Sequence, residues 1–181
     1  SAFMISVFDP AVAQATGSAP LAWTNSVATH SGLSPTSYDG MCYDSTRDLV
    51  WMIATTNLNW ASYNFNTDAW TVYTQPTQSF AEPGVGPVYV PTKDMVLSFV
   101  NQTNTLLGLD PANPTADKVT MTSANGRVTG TFPPVVSRGS GACWSSNLNA
   151  VVYWHENGNT IHLLTPPSGD WRTGTWTWSQ R

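Results

Sequence analysis

The sequence predicts an antiparallel all-β domain built from repeated four-stranded units. Three observations predict it. A glycine-led pattern recurs three times along the chain. The apolar segments are short, rich in β-branched and aromatic residues, and separated by turn residues. No segment sustains the 3.6-residue apolar period of an amphipathic helix, so no helix longer than about two turns is expected.

The repeat carries most of this reading. Gly40, Gly86 and Gly141 lie 46 and 55 residues apart and open the same pattern. An aromatic follows each glycine by three positions (Tyr43, Tyr89, Trp144), and Asp or Asn follows by eight (Asp48, Asp94, Asn149). An apolar strand then begins: Leu49 to Ile53, Met95 to Phe99, Ala150 to Trp154. The polar stretch between has the Asx and Ser chemistry that reverses a chain, so each pair reads as a hairpin. The returning strand is apolar on both faces, as expected of a strand buried between two sheets.

A second half-motif follows each hairpin. It contains Tyr63-Asn64-Phe65, Leu107-Gly108-Leu109-Asp110-Pro111 and His162-Leu163-Leu164-Thr165-Pro166, and leads to outer strands such as Trp70 to Tyr73 and Thr175 to Trp178. The last of these alternates with period two, like a half-exposed edge strand. The same half-motif opens the chain as Ser6-Val7-Phe8-Asp9-Pro10, with Trp23 further on.

Four-stranded units recurring at this interval are the blade signature of a β-propeller. A glycine at the inner strand, an aromatic-Asp-Pro/Thr turn and a late Trp resemble Kelch-type repeats, as in the central domain of galactose-oxidase-like proteins. Gly84 with Gly86, and Gly139 with Gly141, approximate the paired glycines of such repeats. The expected units are 1–27 (the outer half of a blade only), 28–75, 76–122 and 123–181 of one domain. That makes about three and a half blades, below the four or more that close a ring. The count favours a partial chain over a small, irregular or five-bladed domain. Another polypeptide is then expected to complete the ring. A second copy would not supply the inner strands, because it lacks the same ones.

Composition narrows function by exclusion. Charged residues make up only 10% of the 181 residues, against 41% hydrophobic, and nine Trp, six Tyr and six Phe supply large apolar side chains. That balance opposes disorder. With seven Lys plus Arg and a net charge of −4, no basic patch meets a phosphate backbone, so no nucleic-acid partner is expected. No apolar run approaches a membrane-spanning length, and the first residues lack the basic start and apolar core of a signal peptide.

Chemistry-bearing residues are sparse. Cys42 and Cys143 both follow a repeat glycine by two positions, so they are expected in separate blades, unpaired and buried. His155 and His162 face each other across a hairpin whose tip, Asn157-Gly158, suits a positive-φ turn. A metal site there lacks further ligands, and neither metal nor cofactor is expected. Ser168 to Trp176 resembles a sialidase Asp-box with two residues inserted, and reads as a turn between outer strands. No carboxylate pair is marked out for glycosidase chemistry, because Asp9, Asp48, Asp94 and Asp110 recur as turn residues. What varies between units lies just before each inner strand: Tyr38, Asp39, Glu82 and Arg138, the expected ligand-binding residues near one end of a central channel.

The resulting expectation is a non-enzymatic binding or structural module recognising protein or glycan. The resemblance to phage- and bacterium-encoded Kelch-like proteins implies a virion or extracellular surface. A carbohydrate-active propeller enzyme, sialidase-like or galactose-oxidase-like, is the alternative. It would need a converging carboxylate pair or copper ligands at the channel mouth.

Overall fold

The glycine-to-Asp pattern folds as a tight four-residue hairpin, repeated in three sheets. The computed structural model describes residues 6–8, 23–25, 40–53, 60–73, 83–100, 103–134 and 139–181. The strands are β1 (Ser6–Phe8), β2 (Trp23–Asn25), β3 (Gly40–Asp44), β4 (Leu49–Ile53), β5 (Trp60–Asn64), β6 (Ala69–Tyr73), β7 (Pro83–Val90) and β8 (Met95–Val100). They continue as β9 (Leu106–Leu109), β10 (Val119–Met121), β11 (Val128–Gly130), β12 (Gly141–Ser145), β13 (Ala150–Trp154), β14 (Ile161–Thr165) and β15 (Trp176–Gln180). Helix among the described residues is confined to one 3-10 turn, Pro91–Lys93.

Each of the three repeats is one antiparallel sheet in simple sequence order. The first is β3-β4-β5-β6, the second β7-β8-β9-β10, and the third β12-β13-β14-β15. β1 and β2 form a separate antiparallel pair, Phe8 opposite Trp23. The inner hairpins close on residues in the left-handed region: Asp48 at φ 56°, Asp94 at 46° and Asn149 at 47°. Asp and Asn tolerate that conformation because a short polar side chain can bond locally. Asp68, at φ 48°, closes the β5–β6 hairpin in the same way, a fourth use of the turn. The aromatic five residues earlier explains the spacing. Tyr43, Tyr63 and Tyr89 each donate their hydroxyl to the turn Asp, at 2.9, 2.5 and 2.9 Å.

The three sheets stack face to face, and the returning strand of each repeat decides the packing. In β8 all six residues are buried. Met95, Leu97 and Phe99 join Val151, Tyr153 and Leu164 in the core between the second and third sheets. Val96 and Val100 join Trp51, Ile53 and Trp60 in the core between the first and second. Trp51 is 1% exposed and stacks on Trp60 with ring centroids 4.4 Å apart. At about 25 cal/mol per Å2 of apolar area, a fully buried side chain of this kind is worth a few kcal/mol.

The inner strands β3, β7 and β12 are the edges of their sheets, and β7 runs between the other two. Glycine permits the closest approach. A Cβ on Gly40 would lie 2.3 Å from the Gly86 Cα.

Four expectations are corrected. Trp154, expected in the inter-sheet core, is 50% exposed, on the face of the third sheet turned away from the core that it shares with the second. Cys143, on that same face, is exposed; Cys42 is half-buried, and both thiols are free. Gly158 does not take a positive φ, since Trp154 to Ile161 is spanned by a longer loop rather than a two-residue turn. β11, with no apolar pattern of its own, pairs parallel to β15, Val128 opposite Trp176, and makes the third sheet five-stranded.

Candidate functional site

The hairpin turns of all three sheets lie at one end of the stack, and polar side chains join them from sheet to sheet. Asp44 is fully buried and accepts from the backbone N–H of Thr46 and Arg47. It also accepts from the Arg47 guanidinium at 3.0 Å and the Trp51 indole at 3.1 Å. Arg47 then spans to the second sheet and grips Asp94 with both terminal nitrogens, at 2.6 and 2.7 Å. Such bidentate pairing is directional as well as strong. The Thr46 hydroxyl sits 2.6 Å from that of Tyr89, which donates to Asp94.

The next junction repeats the arrangement with other residues. The Lys93 ammonium donates to the Ser168 and Gly169 carbonyls at 3.3 and 2.9 Å. Arg172 pairs with Asp110 and lies over the Trp171 ring. Electrostatics follow. The Arg47 guanidinium holds the Asp94 carboxyl below its usual range. Burial, with the Asp94 bond, pushes the Tyr89 hydroxyl up to about 12. Burial raises the Cys42 thiol well above its ordinary value, so it stays protonated and unreactive. These carboxylates therefore hold the frame together.

Described residues line two concavities of interest. One is a groove of about 230 Å3 where the inner strands converge, lined by Met41, Cys42 and Tyr43 from β3, Val88 and Tyr89 from β7, and Cys143 and Trp144 from β12. The repeat thus places both cysteines in one groove, in spite of their separate sheets. Met41 and Tyr43 are about half exposed there, at 48% and 52%.

The other is a cavity of about 430 Å3 beside the β13–β14 loop, at the opposite end of the third sheet. Phe132 and Pro133 give it apolar walls, and Asn159, Thr160, Gln180, His155 and His162 give it uncharged polar groups. His162 is 4% exposed, and its Nδ1 has no hydrogen-bond partner. Burial lowers its pKa, which keeps the imidazole neutral at neutral pH. His155 and His162 do line one cavity, but they do not face each other across the strands: His162 lies opposite Tyr153, and His155 follows the end of β13. Phe132 and Gln180 were not legible in the sequence, because they arrive from remote segments. Among the described residues no group of three or more His, Cys, Asp or Glu is placed to hold a metal.

The four expected ligand-binding residues, Tyr38, Asp39, Glu82 and Arg138, lie outside the described residues. No known protein-family model matches the chain, and no curated protein is similar to it.

Proposed function

We propose that the protein is a non-enzymatic binding or structural module of β-propeller type, a virion or cell-surface component that recognises protein or glycan. Another polypeptide would complete the arc of sheets and cover the apolar surface left at its end. The observation that carries the reading is the division of labour among the polar groups. Asp44, Asp48, Asp68, Asp94, Asp110 and Asp170 are all engaged in turns or ion pairs. The larger cavity is lined instead by neutral amides, a hydroxyl and imidazoles over Phe132 and Pro133. Neutral donors and acceptors beside an apolar wall suit an uncharged polyhydroxylated ligand. Acid–base hydrolysis of a glycoside would require two carboxylates flanking the bond.

Isothermal titration against a panel of neutral oligosaccharides, with product analysis of the same mixtures, tests this reading. Binding of at least one sugar without turnover, weakened about tenfold by Gln180→Ala, is the expected outcome. Release of reducing sugar would favour the carbohydrate-active alternative.

A further inference from the structure

The sequence contains two Asn-Gly pairs, Asn125-Gly126 and Asn157-Gly158. At such a pair the Asn side chain is open to attack by the next backbone nitrogen, because glycine has no Cβ to shield it. Exposure does not separate the two, since both Asn side chains face solvent. Nor does the turn: the Gly126 N–H donates to the Ser123 carbonyl at 3.1 Å, and the Gly158 N–H to the His155 carbonyl at 2.9 Å. The Asn side chains differ. In Asn125 the Oδ1 accepts from the backbone N–H groups of Thr122 and Arg127, at 2.9 and 3.2 Å. Its Nδ2 donates to the Thr120 carbonyl at 2.9 Å. The Asn157 amide makes one long contact, from Nδ2 to Glu156 Oε1 at 3.4 Å, and among the described residues its Oδ1 accepts no hydrogen bond. Gly158 itself is anchored, its carbonyl accepting from the Trp154 indole at 2.7 Å.

We propose that Asn157 is a self-modification site, at which the Gly158 backbone nitrogen displaces the side-chain amide and converts the residue to aspartate or isoaspartate, with water as the only co-reactant. The proposal goes beyond the ligand reading and does not rest on it. The Gly158 nitrogen gives up its proton to hydroxide and bonds to Asn157 Cγ. The Cγ–Nδ2 bond breaks, and Nδ2 leaves as ammonia after taking a proton from water. Water then opens the resulting five-membered imide at either carbonyl. Opening at Cγ restores the ordinary main chain with an aspartate side chain; opening at the other carbonyl routes the main chain through Cγ, as isoaspartate. No electrons are gained or lost overall. Asn125 must first release three hydrogen bonds to turn onto Gly126, which slows the same step there by about tenfold or more. The conversion falls on the loop that walls the larger cavity, lined by His155, Gly158, Asn159 and Thr160. It adds a negative charge two residues from His155 and, in the isoaspartate form, one further atom of main chain. While the ring is closed the Gly158 nitrogen carries no hydrogen, so its bond to the His155 carbonyl is lost.

The test is incubation of the folded chain in mildly alkaline buffer, followed by peptide mapping with electron-transfer fragmentation, which separates aspartate from isoaspartate. Conversion at Asn157 is expected to outpace that at Asn125 by about tenfold or more. In urea the two rates should converge, because nothing then holds the Asn125 amide. Gly158→Ala should slow conversion at Asn157 and leave Asn125 unchanged. The structure accommodates that variant, since a Cβ on Gly158 would meet no atom closer than 3.4 Å. Should it fail to fold, Asn157→Gln, whose longer side chain would have to close a larger ring, gives the same readout. An Asn157 that is not converted, or is converted no faster than Asn125 in the folded chain, overturns the proposal. So does a preference for Asn157 that persists unchanged in urea, or a rate indifferent to these variants.

Discussion

At the scale of single residues, the same side chain type carries opposite weight on the same face of equivalent strands. Trp51 and Trp154 both lie in returning strands, yet one is enclosed between two sheets and the other faces outward. Trp51→Ala is expected to cost about 3–5 kcal/mol, the range for deleting a fully buried aromatic. Trp154→Ala should cost less than about 1 kcal/mol in the monomer. Urea unfolding of the two variants checks the contrast; equal losses would mean that the outward face is covered. Asp94 makes a second case. Its folded-state pKa is depressed by Arg47, so its contribution is present above the unfolded value of about 3.9 and is lost as pH falls below it. Asp94→Asn keeps a residue able to hold positive φ but weakens the grip on Arg47. The expected loss at pH 7 is about 1 kcal/mol, discounted because the carboxylate is 47% exposed. The difference from the parent should shrink toward zero near pH 2, as followed by urea midpoints across pH.

At the scale of elements, the repeat glycine has a different task in each strand. In β3 a Cβ on Gly40 would meet the Gly86 backbone at 2.3 Å, whereas at Gly141 in β12 it would meet nothing within 4 Å. Gly40→Ala should therefore cost about 1–3 kcal/mol through overpacking. Gly141→Ala should be neutral or slightly stabilising, by lowering the entropy of the unfolded chain. Thermal unfolding of both variants reads the sign. These glycines also show what the sequence makes legible. The spacing of aromatic to Asp or Asn marks the turns, because a Tyr five residues before the turn Asp places its hydroxyl on that carboxylate. Tyr63 and Asp68 have the same spacing, but no repeat glycine precedes them at that distance, so the sequence pattern alone places them in the second half-motif. The Arg47–Asp94 clasp was illegible, because the register between two turns appears only once the sheets are stacked. β11 was missed because three residues, Val128 to Gly130, carry no period of their own. The burial of Trp154 was misjudged because it depends on a neighbour rather than on the strand.

At the scale of the whole molecule, stability passes along the stack through two kinds of junction. Apolar faces meet in the middle, and polar clasps join the turns at one end. The first is insensitive to salt; the second is partly screened by it. Both junctions centre on the second sheet, which shares one core with the first sheet and another with the third. Its β8 has no exposed residue. The outer sheets each lean on it, so damage there is felt in both.

The parallel strand at the edge of the third sheet has a consequence for how the chain is made. Every other strand of the three large sheets finds a partner among strands adjacent to it in sequence. Val128, which is 2% exposed in the folded protein, must wait for Trp176, 48 residues later. During synthesis it leaves the ribosome long before its partner exists. The hairpins of the third sheet can zip as they emerge, and only then is there an edge for β11 to join. The last step of folding thus belongs to an early segment, and a nascent chain halted short of Trp176 would hold three nearly finished sheets with one strand left without a place.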